Sequence, residues 1–173
     1  PATYAAELVR ALVAGFPDDS FTVLTDDPSP FRGVCEAVHV PMRSAWEQPL
    51  WDHLRVPRVL ARRDFDLYHG TKGVLPRRGS TPSVVTVHDL ASHVMPSTFA
   101  FAQRLHLRME TPWAVSRARA VLVPSASTRD DVERFFPRAR GKVCVTPEAP
   151  SRSLAPASAD EVAAWRARHG IEG

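Results

Sequence analysis

Apolar residues at the start of the chain recur every three or four positions and stop at Gly15 and Pro17, which predicts a helix over about residues 2–15. Beyond this helix the apolar residues come in short runs without polar alternation. Such runs are typical of strands that are buried on both faces of a parallel sheet. The predicted strands cover residues 21–25, 34–40, 67–68, 84–87, 120–123 and 143–145.

Helical periodicity fills most of the intervals between these strands. The predicted helices cover residues 46–63, 99–117, 128–136 and 161–169. Pro57 is expected to interrupt the first of them, and Gly170 closes the last. The alternation predicts an α/β fold, a Rossmann-like doubly wound parallel sheet with helices on both faces. A proline-rich stretch follows the last strand, so we expect a domain over 1–150 and a linker with a terminal helix over 151–173.

Composition narrows the class of protein. The chain has 173 residues, of which 44% are hydrophobic and 24% charged, which is enough for a buried core and excludes a disordered protein. The net charge of +3 is small and scattered, so no nucleic-acid partner is expected. Cys35 and Cys144 stand alone in apolar runs, which predicts buried reduced thiols. Because no stretch approaches the roughly 18 apolar residues of a spanning helix, we expect a cytoplasmic location.

Polar residues directly follow four of the predicted strands. In an open parallel sheet, ligands bind beyond the carboxyl ends of the strands, so these residues are the candidates for chemistry. They are His69, Gly70, Thr71 and Lys72, then His88 and Asp89, then Ser125, and last Thr146, Pro147 and Glu148.

His88, followed by Asp89, is the sharpest local feature. A histidine at a strand tip can donate a hydrogen bond or transfer a proton near neutral pH, and an adjacent carboxylate can orient it. One alternative is a structural histidine that bonds a loop carbonyl. Another is a metal site that includes His93, although no further ligand pair has suitable spacing. The dipeptide alone does not decide between these roles.

The other strand-end residues also have two interpretations each. Gly70 lets the backbone approach a ligand closely, and Thr71 and Lys72 add a hydroxyl and a cation, but a solvated loop is the alternative. Ser125 precedes a helix at capping-box spacing, and the free N–H groups of that helix suit an anion. Helix capping and anion binding are therefore both open for Ser125.

One predicted helix combines apolar residues with arginines. This segment holds two arginines, Arg104 and Arg108, among the apolar residues Phe99, Phe101, Leu105, Leu107 and Met109. Packing of the apolar side chains into the core is the favoured interpretation. The alternative is a weak contact with a membrane surface, which would make the protein peripheral to the membrane.

Four segments in this order resemble the N-terminal half of the family 4 (group 1) retaining glycosyltransferases, which have the GT-B fold. They are Asp-Leu-Tyr-His-Gly-Thr (66–71), Val-Thr-Val-His-Asp-Leu (85–90), Val-Pro-Ser-Ala-Ser-Thr-Arg-Asp-Asp-Val (123–132) and Lys-Val-Cys-Val-Thr-Pro (142–147). The resemblance covers almost the whole chain. It implies a transferase in which two Rossmann-like domains close over a nucleotide-sugar, with the acceptor held mainly by the N-terminal domain.

The resemblance also implies roles for the strand-end residues. His88 matches the histidine that faces the donor sugar and leaving phosphate, and it is the expected catalytic residue, with Asp89 and Ser125 on the donor side. The expected acceptor-binding residues are Tyr4, His69, Gly70, Thr71 and Lys72. The implied mechanism is front-face displacement, without a metal or a cofactor, since the nucleotide-sugar is a co-substrate. The implied partners are a sugar, lipid or small-molecule acceptor and the C-terminal domain of the same full-length chain.

Three departures from the family pattern matter. The family's first strand and glycine-rich loop, expected before Tyr4, and its C-terminal domain are absent from the sequence. We therefore expect a sheet with an unpaired interior and no measurable transfer by this chain alone. Thr146-Pro147-Glu148 stands where Asn-Gly or Pro-Gly is more usual, which leaves the role of Glu148 open. A non-catalytic α/β ligand-binding module and an unrelated receiver-like domain are the alternative functions.

Overall fold

Parallel strands flanked by helices form the fold, as the apolar runs predict. The computed structural model describes residues 2–149 and 155–171. Two strands, β1 (Thr22–Thr25) and β2 (Glu36–His39), form one parallel sheet. The second sheet is parallel as well, in the order β3 (Tyr68–Gly70), β4 (Ser83–Thr86), β5 (Ala120–Val123) and β6 (Val143–Val145).

All but one of the helices lie in predicted intervals, and the exception is the four-residue helix Ala91–Val94, which was not predicted. They are α1 (Ala2–Gly15), α2 (Gln48–Leu50), α3 (Val56–Leu60), α4 (Ala91–Val94), α5 (Phe101–Arg117), α6 (Ala126–Phe135) and α7 (Ala159–His169). Helix α5 starts at Phe101, two residues later than predicted, and two other helices start earlier because of their caps. Ser125 caps α6, which places its start two residues before Thr128. Ser158 and Glu161 form a capping box at the start of α7, which adds two residues to that helix.

The predicted interruption near Pro57 is confirmed, and it takes the form of a π-helical turn. Residues Trp51–Arg55 adopt this turn between α2 and α3, and the N–H of Val56 donates to the carbonyl of Trp51, five residues earlier. Proline has no N–H to donate to the preceding turn, so a regular α-helical ladder cannot continue through it. The wider turn accommodates this loss within an otherwise helical segment.

The two sheets share no hydrogen-bonded ladder in the described residues. β1 pairs with β2, and β3 pairs with β4, so β1 and β3 each have one edge without a partner strand there. The expectation of an unpaired sheet interior, and of a further strand that fills it, stays a prediction. The domain boundary at residue 150 also stays a prediction, because residues 150–154 lie outside the described residues.

The main core lies between the four-stranded sheet and its helices. It is built by Val85, Val87, Val121 and Val123 from the strand segments, Ala114, Val115 and Ala118 at the end of α5, Val132 from α6, and Leu75, Leu90 and Ala139 from the connections. Val115 and Val132 are almost completely buried, so both helices are fastened to the sheet by apolar contact. This packing holds the carboxyl ends of β3 to β6 at one edge.

The prediction that the apolar residues of α5 pack into the core is wrong for three of them. Phe101, Leu105 and Met109 are 69%, 48% and 55% exposed. The buried residues of α5 are concentrated in its C-terminal half, from Glu110 onward. The first turns therefore extend past the core and present an apolar stripe on their outer side. Arg104 lies over the ring of Phe101, at 5.5 Å from its centroid.

The two cysteines are free thiols, and the prediction that both are buried is wrong. Cys144 is exposed because β6 is the last strand of its sheet and is covered only around Val143. Cys35 is half-buried, and burial raises the pKa of its thiol, with a further contribution from the charge of Glu36. Among the described residues, no helix is both long enough and apolar enough to cross a membrane.

Candidate functional site

The candidate site lies where the loops after β3, β4 and β6 meet. Because the strands of this sheet are all parallel, their carboxyl ends share one edge, and residues distant in sequence come together there. His88 lies at the centre of this meeting point. Its side chain contacts the loop after β3, the segment after β6 and the ring of Tyr4 on α1.

Both ring nitrogens of His88 have partners. Nε2 lies 3.0 Å from the backbone carbonyl of Thr71, and since a carbonyl can only accept, Nε2 carries a proton and donates it. Nδ1 lies 2.7 Å from Oε1 of Glu148, and this contact is an ion pair when Nδ1 carries a proton as well. The edge of one ring meets the face of the other between His88 and Tyr4, at a centroid distance of 4.8 Å. The histidine is thereby held in one orientation.

A second histidine is held through a buried threonine. The hydroxyl of Thr86 lies 2.7 Å from Nε2 of His69 and 3.1 Å from the hydroxyl of Tyr4. Burial lowers the pKa of His69, and the nearby charge of His88 lowers it further. His69 is therefore neutral at pH 7, and it can accept or donate one hydrogen bond on each side of its ring. The structure brings together three of the predicted residues, Tyr4, His69 and His88.

The loop after β3 is packed against the end of β4, and Gly70 makes that packing feasible. A Cβ atom at Gly70 would lie 2.3 Å from the carbonyl oxygen of Val74 and 2.8 Å from Cδ2 of Leu75. Gly73 has a φ of +71°, and its N–H donates to the carbonyl of Thr86 at 2.9 Å. The sequence predicted that a ligand approaches the backbone closely at Gly70. In the structure, the loop after β3 makes this close approach itself.

Comparison with models of protein families shows which family the chain belongs to. The model of Glycosyltransferase Family 4 matches residues 1–149. The chain belongs to Glycosyltransferase Family 4. Its α/β fold agrees with that membership, and glycosyl transfer is the general function of the family. A comparison with curated proteins finds no match.

In this family 4 domain, Asp89 does not orient His88. Its Oδ1 accepts from the N–H of Ala91, the first residue of the short helix α4, at 2.8 Å. An aspartate side chain readily bonds the backbone two residues ahead, and this local bond competes with a contact to the neighbouring ring. The carboxylate that reaches His88 belongs to Glu148, 60 residues away. Its position directly after β6 was the sequence signal for this role.

Ser125 of the family 4 domain is the N-cap of α6. Its Oγ accepts from the N–H of Thr128 at 3.1 Å, so the capping interpretation is correct. The two hydroxyls of Ser125 and Thr128 lie 3.0 Å apart, and that of Thr128 donates to the backbone carbonyl of His88 at 3.5 Å. Ser125 therefore lies close to the site, and binding of the donor by Ser125 stays a prediction.

The metal interpretation of His88, Asp89 and His93 finds no support in residues 2–149 and 155–171. That part of the chain holds no group of three His, Cys, Asp or Glu side chains that could bind a metal ion. His93 lies instead between the rings of Phe135 and Phe136 and beside the hydroxyl of Ser92. Burial lowers the pKa of His93.

Sequence reasoning missed a buried polar cluster between α5 and the π-helical turn. Glu110 is buried, with one carboxylate oxygen 3.0 Å from Arg77 and the other 3.2 Å from Nε2 of His53. The guanidinium of Arg77 also lies over the ring of Trp113, at 5.5 Å. No local motif marks these residues, because they belong to three different segments. The close contact of His53 with Glu110 joins the helical segment before β3 to α5, and the Arg77–Glu110 ion pair joins the loop after β3 to the same helix.

Asp52 lies on the π-helical turn beside this cluster. Burial raises the pKa of Asp52, although its carboxylate accepts two hydrogen bonds from the amide of Gln48, at 3.1 and 3.0 Å. The charges of Lys72 and His106 act in the opposite direction and lower the pKa of Asp52. The exposed side chain of Lys72 therefore lies near Asp52. Of the predicted acceptor residues, Thr71 and Lys72 have side chains that make no hydrogen bond to another described residue.

Proposed function

We propose that this chain is the N-terminal, acceptor-side domain of a retaining glycosyltransferase. In this proposal the full-length enzyme moves a hexosyl group from a nucleotide-sugar to a sugar, lipid or small-molecule acceptor. The observation that carries it is the convergence of His69 and His88 at the carboxyl edge of the sheet of a family 4 domain. This edge is where an open α/β sheet binds its ligand.

The environment of His88 supports a role on the donor side. Nδ1 of His88 already faces a carboxylate oxygen of Glu148, so a protonated Nδ1 also suits an oxygen of a departing phosphate. A preorganised N–H of this kind stabilises charge as the bond between sugar and phosphate breaks. The transfer then follows a front-face displacement in which the departing phosphate assists the incoming hydroxyl, without a metal or a further cofactor.

On the acceptor side, Tyr4, His69 and Thr71 surround the same edge, and Lys72 adds an exposed cation. Because Nε2 of His69 is bonded to Thr86, Nδ1 is the ring atom left to form a hydrogen bond with an acceptor hydroxyl. The nucleotide itself is bound by the C-terminal domain of the full-length chain in this proposal. We expect the enzyme to act in the cytoplasm.

The stereochemistry of transfer by the full-length protein tests the proposal. With a panel of nucleotide-sugars and acceptors, we expect a product that keeps the anomeric configuration of the donor, measured by proton NMR of the fresh product. The 173-residue chain alone should show no measurable transfer, because transition-state stabilisation needs both faces of the cleft. An inverted product contradicts the mechanism, and full turnover by the isolated chain contradicts the domain assignment.

The apolar stripe of α5 supports a peripheral contact with anionic lipid. Phe101, Leu105 and Met109 lie outward, with the arginines Arg104 and Arg108 beside them. The one acidic residue of α5, Glu110, is buried with Arg77 and His53. The outer side of this helix is therefore apolar and cationic, which matches a negatively charged membrane surface.

Sedimentation with vesicles tests this contact. We expect the protein to bind vesicles of phosphatidylglycerol and not those of phosphatidylcholine. The double variant Phe101→Ser, Leu105→Ser should lower the bound fraction about tenfold, because it removes most of the apolar stripe. Val162→Ser, which changes an exposed apolar residue on α7, is the matched control. Equal binding by the double variant and the wild type contradicts the membrane contact.

A further inference from the structure

Both ring nitrogens of His88 are occupied by protein atoms, so a ligand of His88 has to compete with one of these contacts. Nε2 of His88 is bound to the Thr71 carbonyl, so Nδ1 is the remaining donor of the ring. Nδ1 is not free either, because Oε1 of Glu148 lies 2.7 Å away. A histidine with both nitrogens bound by protein atoms cannot also bond a ligand. One of the two contacts therefore has to open before His88 serves a substrate.

The contact with Thr71 is the harder one to open. The loop that presents the Thr71 carbonyl is fixed on both sides, by the tight packing of Gly70 on Val74 and by the hydrogen bond from Gly73 to Thr86. Moving this carbonyl would require the whole loop to leave the end of β4. The Nε2 bond is thus part of the scaffold.

The contact of His88 with Glu148 is the easier one to open. The side chain of Glu148 is 39% exposed, and it lies beyond the end of β6, in a segment without helix or strand. Among the described residues, His88 is the only hydrogen-bonding partner of its carboxylate. Rotation of this side chain into water frees Nδ1 without disturbing the sheet or the loop after β3.

We infer that Glu148 masks an anion-binding position on Nδ1 of His88, and that a phosphate oxygen of the donor displaces the carboxylate when it binds. This inference rests on the proposed function, in which His88 faces the donor. A carboxylate oxygen and a phosphate oxygen are similar partners for an N–H donor, and one N–H accommodates only one of them at this distance. The two anions also repel each other, so Glu148 leaves as the phosphate arrives.

The masking contact lowers the affinity for the anion by the free energy that is needed to break it. A hydrogen bond between charged groups that are partly exposed corresponds to roughly a tenfold effect on a binding constant. Removal of the Glu148 carboxylate should therefore strengthen binding of a phosphate compound by about this factor. A residue that merely supported the shape of the site would have the opposite effect, since its loss would weaken binding.

Titration of the full-length protein with inorganic pyrophosphate tests the inference. We expect Glu148→Gln and Glu148→Ala each to lower the dissociation constant about tenfold, measured by calorimetry. The ring nitrogen signals of His88 in ¹⁵N NMR should respond to pyrophosphate at correspondingly lower concentrations. Glu133→Gln, which makes the same chemical change on α6, is the matched control and should leave the constant unchanged. Melting temperatures show that each variant is folded.

The gain in affinity should disappear when His88 is absent. In a His88→Ala background, Glu148→Gln is expected to have no effect on the binding of pyrophosphate, because the masked donor is gone. Unchanged or weaker binding in Glu148→Gln, a gain that persists without His88, or no binding in any variant overturns the inference. This test distinguishes the inference from the proposed function. A gain in affinity without sugar transfer contradicts only the proposed function. Retaining transfer without a gain in affinity contradicts only the masking by Glu148.

Discussion

Replacement of Gly70 by alanine is expected to destabilise the protein by about 3 kcal/mol, the upper part of the usual range for overpacking a buried position. The new Cβ atom would lie 2.3 Å from the Val74 carbonyl oxygen, which is backbone and cannot rotate away. It would also lie 2.8 Å from Cδ2 of Leu75, a side chain that is 1% exposed. The loop after β3 must therefore move, and with it the Thr71 carbonyl that holds His88.

Urea unfolding followed by circular dichroism measures this effect. Gly15→Ala is the matched control, because a Cβ atom there meets nothing within 4 Å and Gly15 ends α1 without a positive φ. We expect the control to unfold within about 1 kcal/mol of the wild type. If Gly70→Ala unfolds at the same urea concentration as the control, the loop adjusts freely and does not fix the position of His88.

The second large effect is expected for His88→Ala in the full-length enzyme, where turnover should fall about 10²-fold or more. This is the scale of losing one preorganised hydrogen-bond donor to a developing charge. Stability should fall by only about 1 kcal/mol, because the Thr71 carbonyl and Glu148 lose a partner at a site that water can reach. The measurement combines initial rates with melting temperatures, so that lost catalysis is separated from lost folded protein.

His106→Ala is the matched control for this prediction. His106 lies on α5 near Asp52 and has no contact with His88 in the described residues, so its removal should leave turnover nearly unchanged. If His88→Ala keeps the full rate, or loses rate only in proportion to lost folded protein, His88 is a structural residue that fastens the loop after β3 to β4. The hydrogen bond to the Thr71 carbonyl is the whole of its role in that case.

The strands and long helices were predictable because burial leaves a local trace in the sequence. Uninterrupted apolar runs predict the strands of a parallel sheet, and β5 and β6 have the predicted bounds, although β6 is exposed at Cys144 and Val145. Local capping decided the details that were missed. Ser125 and Ser158 start their helices earlier than the apolar pattern suggests, and α4, which has four residues, is too short for any periodicity.

The general position of the site was also predictable, because in a parallel sheet every strand-end residue comes to the same edge. This rule brings His69, His88, Ser125 and Glu148 together from four separate segments. It does not say which of them touch. The buried pair of Glu110 and His53 falls outside the rule altogether, because it joins two helical segments that no sequence motif connects.

The sequence by itself determined that this is an α/β domain of parallel strands, that it resembles family 4 glycosyltransferases, and that its polar strand ends share one edge. Only the tertiary structure decided that His88 bonds Glu148 and not its neighbour Asp89. The physical reason is that a short aspartate side chain satisfies itself on its own backbone two residues ahead, whereas a longer glutamate brought in by β6 reaches across to the ring. Apolar patterns are local and can be read along the chain, but hydrogen-bond partners are set by distances in space.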